Sequence, residues 1–224
     1  GTFNFNGTNN YVDIGSIGSS NPVSLSTGNF TISCWVLADI NQEGNFGRII
    51  SKSTSGSGNG GYDMFISNNT WYFYIGGSST LKAISNIQNK SWNHLIITYD
   101  GTTYKGYTNS IFNKSATGPQ PTNSTADLNF GVSAGLNTRY FKGNISNISI
   151  FDKDLTQCEV NELYNDGSPV DISATTFNDN AIANWNLNQT DNPTGTVNDT
   201  IGNNDGTSIN MISGNLEIDK YPTN

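Results

Sequence analysis

Short runs of aromatic and β-branched residues recur along the 224-residue chain. They return about every 10–15 positions, with Gly, Asn, Ser and Asp between them, which is the pattern of a β-sandwich or barrel. FTISCWVL at 30–37 sends Phe30, Ile32, Cys34 and Val36 to one face. Trp35 and Leu37 make the other face partly apolar, as a central strand requires. In the run from Trp92 to Asp100, Leu95, Ile97 and Tyr99 oppose Trp92, His94 and Ile96. Asp100-Gly101 then supplies a hairpin turn, and Tyr104 and Tyr107 fall on the return strand before Asn109-Ser110. The opening FNFNG and residues 10–14, 47–52, 61–67, 70–76, 127–133 and 144–151 complete an all-β reading.

One helix is expected. Thr156 with Glu159 three positions later makes a capping box, and Val160, Leu163 and Tyr164 follow at helical spacing. The pattern predicts a helix over about 156–165, stopping near Asn165-Asp166-Gly167 and lying as a lid on a sandwich edge. Residues 1–170 read as one domain. Residues 171–224 are too poor in apolar side chains to fold alone, although AIANWNL at 181–187 reads as a strand. This tail is expected to pack back on the first 170 residues or to join a neighbour's edge. DTIGNNDG at 199–206 reads as a turn.

Composition narrows the partners. Aromatic residues at 11% with only 12% charged argue for a packed domain over a disordered one. Eighteen acids stand against ten bases, so no basic stripe exists to neutralise phosphates. Nucleic acid and anionic membrane are poor partners. No run approaches the ~18–20 apolar residues of a membrane span, and Gly1 is followed by no basic or apolar leader region. Cys34 and Cys158 are far apart in the chain and are expected to be buried free thiols.

Catalytic chemistry has little footing. Acid–base catalysis leans on His or a tuned pair of carboxylates, and the chain owns one histidine, His94. It is expected at the edge of the core, satisfied by backbone. Gly56, Gly58 and Gly61 match a dinucleotide-binding spacing, but no helix follows to receive a phosphate. Sugar hydrolysis needs two carboxylates facing each other from strands. Asp39 and Glu43 lie instead in the 39–47 loop, and Asp152 and Asp154 precede the helix. Calcium needs only oxygen ligands, and Asp39 with Glu43 is the candidate pair.

The aromatic residues point elsewhere. Among Trp71, Tyr72, Phe73 and Tyr74, alternation sends Tyr72 and Tyr74 to the face opposite Trp71 and Phe73. Tyrosine joins an apolar ring to a polar tip, which suits stacking on a sugar. Tyr72, Tyr74, Tyr104, Tyr107 and Tyr140, with Asn137 and Arg139, are the candidate carbohydrate platform.

The ordered segments FNGTNNYVDI, FTISCWV, RIISK, GYDMFIS, WNHLIITYDG and YFKGNISNISIFDKDLTQCEVNELYNDG span about residues 1–170. Together they resemble the laminin-G-like, concanavalin A-like lectin/glucanase jelly rolls. The resemblance implies two curved antiparallel sheets, a calcium site on the sandwich rim, and binding of glycans or proteins without catalysis. NAIANWNLNQT and DTIGNNDGTSIN resemble a segment that in many members precedes the first strand. The helix-then-tail order here is similar to modules of marine bacteriophage virion proteins. The resulting expectation is a non-catalytic glycan-recognition module on a virion or extracellular surface. Its alternatives are a structural virion domain that binds protein and a polysaccharide hydrolase.

Overall fold

The computed structural model describes residues 1–54, 60–75, 83–188 and 191–222, the side chain of Glu43 excepted. Its strands are β1 (Thr2–Asn6), β2 (Tyr11–Ser16), β3 (Phe30–Ala38), β4 (Gly47–Lys52), β5 (Tyr62–Ser67), β6 (Thr70–Ile75), β7 (Ser85–Asn86) and β8 (Trp92–Tyr99). There follow β9 (Thr103–Thr108), β10 (Ile111–Thr117), β11 (Asp127–Phe130), β12 (Lys142–Phe151), β13 (Ala181–Trp185), β14 (Thr196–Val197), β15 (Gly206–Ile209) and β16 (Leu216–Glu217). One α-helix, α1 (Gln157–Tyr164), lies between β12 and β13. Gly56 and Gly58 of the glycine-rich stretch lie outside the described residues.

Two antiparallel sheets form a jelly-roll sandwich. The first runs β10-β9-β8-β3-β12-β1-β16, and β13 also pairs with β12. The second runs β14-β15-β2-β11-β4-β5-β6-β7. Period two fills the space between them. Phe30, Ile32, Cys34 and Val36 of β3 and Leu95, Ile97 and Tyr99 of β8 enter one buried cluster. Tyr62, Met64 and Ile66 of β5 and Trp71, Phe73 and Ile75 of β6 meet them from the second sheet. Each such large side chain contributes about 1.5–3 kcal/mol on leaving water.

The outer face of the first sheet carries a second cluster. Ile96, Phe151, Leu155, Val160, Leu163, Ile172 and Phe177 come together beneath α1. The helix therefore covers a sheet face and not a sandwich edge, because Val160 and Leu163 need apolar partners that an edge lacks. Its start is fixed by the capping box of Thr156 and Glu159, and its end by Asn165 in the left-handed region. Cys34 is buried in the core, but Cys158 is exposed on the outer side of α1. Both are free, and only one is buried as expected.

Residues 171–222 join both sheets: β13 pairs with the C-terminal half of β12, β16 with β1, and β15 with β2. The 199–206 segment is a turn organised by one side chain. The buried Asp199 carboxylate accepts from the backbone N–H groups of Asn184, Ile201, Gly202 and Asn204 and from the Asn204 amide.

Candidate functional site

The outer face of the second sheet gathers most of the candidate residues. Strand register sets Arg48 of β4 opposite Phe65 of β5, and Phe65 opposite Tyr72 of β6. All three side chains point away from the core, so they meet as a ladder across three strands. The Arg48 guanidinium carbon sits 4.2 Å from the Phe65 ring centre. On the other side Tyr72 stacks on Phe65 at 4.9 Å, with 5° between the planes. Tyr74 closes edge-on to Phe65 at 4.8 Å. Phe46 approaches Phe65 at 6.0 Å and receives the Arg139 guanidinium at 5.0 Å.

The ladder rests on a buried polar base. Asp63 is wholly buried, and its oxygens accept from Ser51 Oγ at 2.5 Å and Ser53 Oγ at 2.8 Å. Arg48 Nε lies 3.7 Å from Asp63 Oδ1. Burial pulls the Arg48 pKa down from its usual value, while the Asp63 charge works to raise it. Arg48 is 1% exposed, so it acts as the underside of the aromatic surface and not as a free hand for a ligand.

Above this base Tyr72, Tyr74 and Arg139 are half-buried, and Phe46 and Asn137 are exposed. The Tyr140 hydroxyl donates to Asn137 Oδ1 at 2.9 Å. Tyr140 itself is nearly buried, and its ring lies 6.4 Å from that of Tyr11. The face is thus a shallow aromatic platform with an arginine and an amide at its margin. Such a surface can stack against the C–H face of a pyranose while Asn137 and Arg139 offer hydrogen bonds to its hydroxyls.

Two candidates do not join it. Tyr104 turns into the core, where it stacks on Tyr99 at 4.1 Å and donates its hydroxyl to the Pro119 carbonyl. Tyr107, three residues on, takes the opposite face of β9 and is covered within the cluster beneath α1. Both faces of β9 are occupied there, so neither tyrosine reaches a ligand through this platform. Phe46, Phe65 and Arg48 are the members that sequence reading missed. Alternation within 61–67 sets Phe65 opposite Met64 and Ile66, but only the pairing of β5 with β6 brings it beside Tyr72.

Asp39 is engaged by its own loop and by Lys142. Asp39 accepts from the Asn41 backbone N–H at 2.9 Å and pairs with Lys142 at 3.3 Å. That backbone hydrogen bond, followed by Lys142, holds its pKa below the usual carboxylate value. The side chain of Glu43 lies outside the described residues. Among the described residues no three His, Cys, Asp or Glu side chains cluster to hold a metal.

Single carboxylates occur within strands of the second sheet. Asp63 lies mid-strand on β5, and Asp13 of β2 has its pKa raised by burial, with a smaller contribution from Asp127 of β11. His94 is fully buried in β8, and its Nε2 lies 2.7 Å from Ser33 Oγ. The expected backbone partner is therefore a side-chain hydroxyl. Burial lowers its pKa to about 3. Among the described residues no helix is long and apolar enough to cross a membrane.

Residues 6–161 match the family model of the concanavalin A-like lectin/glucanases superfamily, in its laminin-G-type branch. The chain belongs to that family. Among solved structures it is similar to a Bacteroides ovatus ATCC 8483 protein provisionally described as carbohydrate binding. The TM-score is 0.70 at 17% identity, and the match covers 94% of this chain and 58% of the other. It is also similar to the CBM40 module of a Ruminococcus gnavus IT-sialidase bound to α2,3-sialyllactose, at a TM-score of 0.50 and 13% identity. That match covers 68% of this chain and 92% of the module. At such identities the likeness establishes the fold alone. No curated protein matches the sequence.

Proposed function

We propose that this chain is a non-catalytic carbohydrate-recognition module that reads a glycan on the Tyr72–Tyr74 platform. The observation that carries the reading is the Arg48–Phe65–Tyr72 ladder, which presents a half-open aromatic face on a rigid sheet. A sugar ring would stack there by dispersion and hydrophobic contact, and Asn137 and Arg139 would select its hydroxyls. The carbohydrate-binding descriptions of the two similar structures are in keeping with it. So is the placing of the chemistry: Asp63 is tied to Ser51, Ser53 and Arg48, and the one histidine is sealed under α1. We place the module on an extracellular or virion surface, following the resemblance of its helix-then-tail order to phage virion modules.

A glycan array run with and without calcium tests this. Retention of a defined glycan set, lost in a Tyr72→Ala, Tyr74→Ala double variant of unchanged thermal stability, is the expected result. Silence under both conditions would sink the proposal. A single shallow site should bind weakly, so copies displayed together would supply useful strength.

A second reading, a structural domain docking onto protein, has one specific observation in its favour. β10 forms the edge of the first sheet and is exposed along nearly its whole length, with Ile111 66% and Phe112 50% exposed. An open strand edge with apolar side chains can accept another strand. Co-purification of a protein partner that is lost on Phe112→Lys substitution would support this reading over the glycan one.

A further inference from the structure

A pocket of about 590 Å³ opens on the opposite side of the molecule, between β12, β13, the 169–179 segment and the 199–206 turn. We infer that it is a second saccharide subsite, built for an uncharged N-acetylated hexosamine. It rests on glycan recognition as the module's role, yet it shares no residue with the Tyr72 platform, so the two readings fail separately.

The floor is a network of side-chain amides. A bulge in β12 between Ser146 and Ser149 puts Asn147 in the left-handed region and brings its side chain to the pocket wall. Its Nδ2 donates to Asn186 Oδ1 at 3.3 Å, and Asn184 Nδ2 donates to the same oxygen at 3.1 Å. Asn184 is fixed in turn by Ser149 Oγ, which donates to its Oδ1 at 2.8 Å, and by Thr200 Oγ1, 2.7 Å from its Nδ2. An amide has two donor protons and two acceptor sites. None of the hydrogen bonds within the described chain uses the Asn186 Nδ2 protons or the Asn178 Oδ1, and both residues line the pocket.

Beneath this floor lies a slot of about 10 Å³, lined by Ser33, Trp35, His94, Ser149 and Leu163 and by five residues of the pocket itself. His94 is 1% exposed, and its Nδ1 finds no hydrogen-bond partner among the described residues. The slot is about the size of one water molecule. His94 thus lines the same slot as Asn147 and Asn184 of the pocket floor.

Charge and apolar surface choose the ligand class. Among the described residues no lysine or arginine lines the pocket, and Asp171 and Asp179 do. A carboxylated or sulfated sugar would therefore meet repulsion without a countercharge. Val170, Ile172 and Ile201 supply apolar walls, and among the described residues no aromatic ring joins them. A methyl group bonded to an amide matches that mixture, since the methyl meets the aliphatic walls and the amide pairs with Asn186 and Asn178. The acetamido group of a hexosamine has this form.

The test titrates the full-length ¹⁵N-labelled chain with N-acetylglucosamine and N-acetylgalactosamine, using glucose and N-acetylneuraminic acid as comparators. The backbone amides of Ser173, Asn184, Asn186 and Ile201 should shift with at least one acetamido hexose, whether or not Tyr72 and Tyr74 also shift. Ile201→Arg and, separately, Asn178→Ala should each weaken this response, the former by about tenfold or more. Tyr72→Ala should leave it unchanged. Equal binding of N-acetylneuraminic acid at these amides, an undiminished response in both pocket variants, or shifts confined to the platform with every sugar would overturn the assignment.

Discussion

Trp35 and His94 lie directly opposite each other on β3 and β8, their rings 4.5 Å apart and 7° from parallel. Tyr164 from the last turn of α1 rests against both, at 5.7 and 5.9 Å. The imidazole is neutral in this setting because burial opposes its charged form.

That burial makes stability depend on acidity. In the unfolded chain an imidazole takes up its proton near pH 6.5, whereas the folded one waits until about pH 3. Between those values the unfolded state holds more protons. The contribution is fully present above about pH 6.5 and declines as the pH falls, by at most about 1.4 kcal/mol per unit. Urea unfolding of the parent and of His94→Gln from pH 7 to pH 4 should show a shallower decline in the variant.

The platform makes a graded prediction. Tyr72→Ala removes the open member of the ladder and should abolish glycan capture with little loss of stability. Arg48→Met keeps the stem over Phe65 but leaves Asp63 buried without its arginine. Breaking such a pair costs about 3–5 kcal/mol, so this variant should fall in thermal stability first. Calorimetry and glycan binding on the same two proteins separate the roles.

Asp199 should prove the most sensitive residue of the tail. Its carboxylate gathers four backbone N–H groups and one amide. Asp199→Ala leaves the buried Asn184 N–H and the part-buried donors of the turn without their acceptor, a loss of about 1–3 kcal/mol. Urea denaturation would measure it, and hydrogen exchange should quicken at Ile201, Gly202 and Asn204 before it does in β3 or β8.

The thiols should react unequally. Burial raises the Cys34 pKa well above its ordinary value and removes it from solvent, while Cys158 is exposed on α1. A native-state Ellman assay should titrate about one thiol and a denatured one about two, in keeping with control by thiolate and access. Two fast thiols in the native protein would contradict the core placement of Cys34.

Thr156→Ala tests the helix that covers the first sheet. It deletes a side chain that accepts from Glu159 N–H and donates to the Glu159 carboxylate. Loss of such a cap costs about 1 kcal/mol. A much larger loss would show that the cluster under α1 depends on the first turn.

What could be seen in one dimension follows from these contacts. The faces of β3, β6 and β8 were legible because alternation with period two needs no partner to be recognised. α1 was legible because the Thr156 and Glu159 pair is local. Tyr72 and Tyr74 came out on an open face for the first reason, but Tyr104 and Tyr107 did not. Their three-residue spacing put them on opposite faces, and what covers each face is decided by Tyr99 and by α1, both distant in the fold. Phe65 and Arg48 escaped notice because cross-strand register joins them to Tyr72, and register is set by pairing between strands. The two- to four-residue strands β14, β15 and β16 are too short to carry an alternation of their own.

β1 is clasped between β12 and β16, with Phe3 opposite Ile145 on one side and Leu216 on the other. Neither neighbour of this strand is made until Lys142, about two thirds of the way along the 224 residues. Its greasy side chains, Phe3 and Phe5, must stay soluble or be chaperoned meanwhile. Closure of the first sheet is a late event that favours slow, high-contact-order folding, and synthesis halted before residue 142 would leave that strand with no bed to lie in.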